Sequence, residues 1–124
     1  MQTILFIGIG GFIGAIARYF ISSFLQSSVT QTFPIGTLGV NILGSFLIGF
    51  LALYFQQIVS SEYRVLVITG FLGALTTFST FSYESVTLLE QGAYTKVGVS
   101  IFLNVVLSLS ATIGGMMLFK KIFI

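Results

Sequence analysis

Gly70-Phe71-Leu72-Gly73-Ala74-Leu75-Thr76-Thr77-Phe78-Ser79-Thr80-Phe81-Ser82 lies inside a long apolar run, yet it holds the residues least suited to a regular helix. From Thr76 to Ser82, five of seven residues carry a hydroxyl. Such side chains offer the backbone competing hydrogen bonds. The stretch predicts a helix broken between Gly73 and Ser79. The run around it, Val65 to Leu89, exceeds the roughly 20 apolar residues that cross a bilayer, so the break falls near the membrane centre. Irregular backbone is tolerated at that depth only when buried in protein or lining water. Freed carbonyls there can ligate a cation, and freed N–H groups can meet an anion.

Three further runs of spanning length flank this one: Ile4 to Leu25, Ile35 to Phe55 and Val97 to Phe119. The polar stretches Gln26 to Thr32, Gln56 to Arg64 and Glu90 to Lys96 connect them. Pro34 stands where its missing N–H costs nothing, in a first helical turn. The reading is an all-α membrane protein with one four-span domain over residues 1–124. Composition agrees, since 56% of the residues are hydrophobic and 6% charged, against roughly 25% charged in a soluble domain. Met1-Gln2-Thr3 lacks the basic start of a cleaved signal, so the first run reads as a retained span. Cysteine and histidine are absent, which excludes disulfides, thiol catalysis and imidazole chemistry. A net charge of +2 without a basic patch gives no reason to expect nucleic acid.

Gly10 and Gly14, Gly11 and Ala15, and Ser45 and Gly49 have the small-residue spacing that lets helices approach closely in lipid. Charge gives almost no orientation signal. Arg64, Lys120 and Lys121 fall on one side, and Lys96 and Arg18 on the other. The positive-inside rule needs an asymmetry. Either weak signals fix one topology, or the chain inserts both ways and two copies pair antiparallel.

Polar residues recur inside the spans. Thr37, Asn41 and Ser45 follow one another at four-residue intervals, as do Ser100, Asn104, Ser108 and Thr112. Each stripe reads either as interhelical hydrogen bonding, worth about 0.6–2 kcal/mol per bond, or as a hydrophilic path for an ion. Glu84 is the one acid well inside a span, a functional candidate by its depth or a group reaching a wet mouth. Arg18 either snorkels along its stem or draws anions into a vestibule.

Gly10 to Tyr19, Gly36 to Phe46 and Gly70 to Ser82, together with the length and four spans, resemble the Fluc (CrcB) fluoride channel family. The resemblance covers the whole chain. It implies an antiparallel, dual-topology homodimer in the plasma membrane (the bacterial inner membrane), with two fluoride pores and a structural sodium ion at its centre. It implies a fluoride pore lined by Asn41, Phe78 and Phe81, to which the polar stripes and the hydroxyl cluster add Thr37, Ser108, Thr112 and Ser79 as candidates. It implies Arg18 as a vestibule residue and the carbonyls of Gly73 and Thr76 as the sodium ligands, and the depth of Glu84 makes it a second vestibule candidate. Two departures stand out: Asn104 where a tyrosine often opens the fourth-helix track, and Ala74 for the second glycine of the break. Fluoride holds water strongly, so a pore must replace several donors. Amide and hydroxyl groups supply them, and phenylalanine edges carry partial positive charge.

The implied function is passive export of trapped cytoplasmic fluoride, conferring fluoride resistance. No Walker-type glycine–lysine loop for ATP is present. A small proton-coupled drug exporter would need a membrane acid in the first span, which has none. A non-transporting assembly subunit predicts no flux at all. No nucleophile–base pair points to an enzyme.

Overall fold

The computed structural model describes residues 1–29, 32–59 and 61–124. Thr30 and Gln31, in the first polar connection, and Ser60, in the second, lie outside the described residues. Among the described residues every regular element is helical. The first two spans are α1 (Gln2–Ser27) and α2 (Ile35–Gln57). The third comprises α3 (Ser61–Arg64), a π-helical segment (Val65–Leu72), α4 (Gly73–Leu75) and α5 (Phe78–Glu90). The fourth is α6 (Tyr94–Phe123). Among the described residues, four helical units are long and apolar enough to cross a membrane, the third running Glu62–Glu90 through its break. Large apolar side chains cover the outside, including Phe12, Phe20, Phe24 and Met117. That surface is stable against lipid and not against water.

The third span differs from the expectation in two respects. The break is narrower than Gly73 to Ser79: only Thr76 and Thr77 leave the helix, with extended backbones at φ −84°, ψ 156° and φ −151°, ψ 119°. Gly73 to Leu75 stay helical, and Phe78 opens the next helix because Thr77 caps it. The Thr77 Oγ1 accepts from the Thr80 N–H at 3.2 Å, the third-residue bond of an N-cap. The second difference is the π winding of Val65–Leu72, a wide turn often found beside functional sites.

Glycines set the helix separations. Gly10 and Gly14 of α1 lie where any Cβ would meet the carbonyls of Leu66 and Phe71, and Gly70 packs back against Ile7 and Gly10. Likewise Gly49 faces the Thr112 carbonyl and Gly115 that of Phe46, which locks α2 to α6. Beyond these, buried Phe119 and Phe50 meet edge to face, with ring centroids 5.7 Å apart. Two loop devices fix the other end. The Gln26 side chain donates to the Phe33 carbonyl at 3.0 Å and accepts from the Gly36 N–H at 3.2 Å, satisfying an open donor of α2 that Pro34 cannot serve. Gly92, at φ 75°, turns α5 into α6, with Gly92 and Ala93 donating to the Leu89 and Leu88 carbonyls. This is the Schellman closure, which favours glycine.

Candidate functional site

The break is held from α2. Asn41 Oδ1 accepts from the Thr77 N–H at 2.9 Å, and Asn41 Nδ2 donates to the Thr77 carbonyl at 3.2 Å. One side chain thus pairs with both polar groups of one extended residue, as a neighbouring strand would. Asn41 Nδ2 also donates to Asn104 Oδ1 at 3.1 Å, and Asn104 Nδ2 donates to the Ser100 carbonyl at 2.9 Å.

This clamp redirects helical donors. In an unbroken helix the Thr77 N–H would close on the Gly73 carbonyl, and the Thr80 N–H on that of Thr76. Here the first goes to Asn41 and the second to Thr77 Oγ1. The Gly73 and Thr76 carbonyls therefore lose their helical partners at the C-terminal, electronegative end of α4. Both residues line a groove of about 410 Å³ between the third span, α2 and α6.

The same groove is lined by Asn41, Ser45, Phe78, Phe81, Asn104 and Ser108. It contains no charged side chain. The Phe78 and Phe81 rings tilt at 56° with centroids 5.5 Å apart, and Phe78 is 77% exposed. Ser108 Oγ is buried without a hydrogen-bond partner. The Ser108 hydroxyl, the Asn104 N–H not used on Ser100, ring edges and bare carbonyls in one neutral groove can replace the water of a small ion of either sign, at different points along it.

Of the residues expected from the sequence, the structure brings Asn41, Phe78, Phe81 and Ser108 together with Gly73 and Thr76. It places the others elsewhere. Thr37 is buried and donates to Glu84 Oε1 at 2.7 Å, while Glu84 Oε2 is buried without a partner. Thr112 donates to the Ser45 and Ser108 carbonyls at 3.0 and 3.1 Å, stitching α6 to α2. Ser79 is exposed, its Oγ 3.3 Å from Thr77 Oγ1. Arg18 lines a cavity of about 200 Å³ with Ser22, Thr37 and Thr80. Glu84 lines another of about 360 Å³ with Gln26, Tyr83 and Gln91. Ser45, Asn104 and Thr77 enter the site beyond the expected set. The four-residue stripes of α2 and α6 carried the first two, and the hydroxyl cluster the third.

Comparison with known proteins bears on this geometry. The profile of the family described as CrcB-like protein, Camphor Resistance (CrcB), matches residues 5–116. The chain is 56% identical over 120 residues to a Sulfurovum protein named fluoride-specific ion channel FluC, covering 97% of this chain and 95% of that one. It is 49% identical over 122 residues to a protein of the same name from Nitratiruptor, covering 98% and 95%. A Methanococcus maripaludis protein, also of that name, is 57% identical over 107 residues, 85% of each chain. The chain is a multi-pass membrane protein and belongs to the CrcB-like protein family.

Proposed function

We propose that this protein is a fluoride-selective ion channel, not an enzyme, that lets fluoride leave the cytoplasm passively. The observation that carries the reading is the neutral groove at the broken helix, with Asn41, Ser108 and the Phe78–Phe81 pair on its wall. Relatives covering nearly the whole chain bear the name fluoride-specific ion channel. A fixed set of amide, hydroxyl and ring-edge dipoles offsets the loss of an anion's water without the desolvation cost of a buried charge. Fluoride enters as its neutral acid and is trapped as the anion at higher pH, so membrane potential alone suffices to drive it out.

The working unit is an antiparallel homodimer with two pores. Three observations support it. The basic residues barely distinguish the two sides. The groove is open, with Phe78 largely exposed. The bare carbonyls of Gly73 and Thr76 supply only two oxygens per chain, so a cation there needs a second copy's pair. These carbonyls fit a structural sodium ion, because unwound carbonyls and helix C-terminal ends are the donors such ions take in membranes. The described residues hold no cluster of three His, Cys, Asp or Glu to supply another metal site. Gly73 and Thr76 would hold the ion, and bound there it adds positive potential to the neighbouring pores.

The test is efflux from liposomes containing only the purified protein. Fluoride efflux rises far above that of empty liposomes, and chloride efflux stays at background. No efflux, or equal efflux of the two halides, overturns the reading. The rings are tested separately. Phe78→Ile and Phe81→Ile keep most of the apolar volume and remove the polarised edges, so each slows fluoride efflux about tenfold or more, a barrier higher by roughly 1.4 kcal/mol, while the protein still elutes as wild type. Wild-type efflux in both variants means the rings only pack.

A further inference from the structure

An asparagine amide has nearly the same shape either way round, so its hydrogen-bond partners decide how it faces. Asn104 is buried in α6. Its Nδ2 donates to the Ser100 carbonyl one turn earlier, at 2.9 Å, and this fixes Oδ1 on the opposite side. Oδ1 accepts there from Asn41 Nδ2 at 3.1 Å. That contact requires the same orientation of Asn41 as its two bonds to Thr77 do. With Nδ2 towards Asn104 Oδ1 and the Thr77 carbonyl, Oδ1 is left for the Thr77 N–H at 2.9 Å. Turned over, Asn41 would set its oxygen against two oxygens and its NH2 against an N–H. An unbroken donor–acceptor chain therefore runs from the α6 backbone through two side chains to Thr77, the extended residue that makes the break.

We infer that Asn104 is a positioning residue. It holds the Asn41 amide the way round that Thr77 also requires, and through Asn41 it steadies the Thr77 peptide groups in the broken conformation. α6 and the break are thereby coupled by orientation as well as by packing. Only the bearing of this coupling on transport rests on the fluoride-channel reading.

Hydrogen exchange at the Thr77 backbone amide reads the coupling directly, by NMR on the intact protein in micelles without fluoride. Asn104→Leu removes the acceptor and speeds Thr77 exchange about tenfold, the factor that 1.4 kcal/mol represents. Asn104→Ser, milder for folding and too short to reach Asn41, does the same. The Ile13 amide in α1 keeps its wild-type rate and reports that the fold is intact. In an Asn41→Ala background, Asn104→Leu adds less than a twofold change, because the effect passes through Asn41. Unchanged Thr77 exchange in both Asn104 variants, or the same multiplicative change with and without Asn41, overturns the inference. Fluoride efflux is read separately. A silent wild type sinks the channel reading and leaves the exchange result standing. Normal efflux without exchange coupling sinks only the positioning role.

Discussion

Asn41→Asp abolishes fluoride efflux from liposomes, with residual flux about a hundredth of wild type or less. Asn41 makes three hydrogen bonds through one amide: it accepts from the Thr77 N–H and donates to the Thr77 carbonyl and to Asn104 Oδ1. An ionised aspartate only accepts. It keeps the Thr77 N–H and faces two carbonyl-type oxygens with no proton to offer. The clamp on the break is lost on one side, and an unpaired charge sits in a groove that otherwise holds none. That charge also opposes the permeating anion. At about 5 Å and an effective dielectric near 20, the repulsion is roughly 3 kcal/mol, or about two orders of magnitude in rate. Asn41→Ala separates the contributions, since it loses the clamp without adding charge. Its efflux falls about tenfold. More than a tenth of wild-type efflux in Asn41→Asp removes Asn41 from the anion path.

The sequence made the four spans and the break legible for a simple reason. Lipid leaves no other use for such apolar runs, and five hydroxyls in seven residues are hard to keep in a helix there. Thr77 as cap and Thr76 as the exit from α4 fall inside that cluster. The π winding of Val65–Leu72 had no such marker, since Val-Leu-Val-Ile-Thr-Gly-Phe-Leu is equally apolar in either winding. It accompanies the tight packing of Gly70 on Ile7 and Gly10 of α1, a contact distant in sequence. The polar stripes were legible as stripes but not as destinations. Four residues make about 400° of turn, so each step drifts by roughly 40°. From Asn104 to Thr112 the drift is about 80°, which leaves Asn104 and Ser108 on the groove while Thr112 bonds to the Ser45 carbonyl. The same drift separates Thr37, bound to Glu84, from Asn41 and Ser45. Spacing alone could not tell an ion path from a seam between helices, because here one stripe serves as both.

Gly14→Val destroys the fold of the membrane-extracted protein, whereas Gly8→Val does not. The two glycines lie in the same span and have the same chemistry, so composition and helix propensity predict equal effects. Their surroundings differ. A Cβ at Gly14 lands on the carbonyl of Phe71, and one at Gly10 on that of Leu66, while Gly8 has nothing within 4 Å. The atoms met at Gly14 are backbone, so no rotamer change relieves the overlap and α1 must move away from the third span. Overpacking of this kind costs about 1–3 kcal/mol and more when backbone must shift. In lipid no hydrophobic force pulls the helices back together, because their association rests on close contact itself. The damage also reaches the break. Phe71 stands two residues before Gly73, so a displaced third span moves the carbonyls of α4 away from Asn41. Size-exclusion chromatography in mild detergent checks this: Gly14→Val loses about nine-tenths or more of the folded peak, and Gly8→Val elutes at the wild-type position in comparable yield. Equal survival of the two variants means that the α1 contact tolerates a wider spacing. The separation of α1 from the π segment then no longer explains why glycines stand at positions 10, 14 and 70.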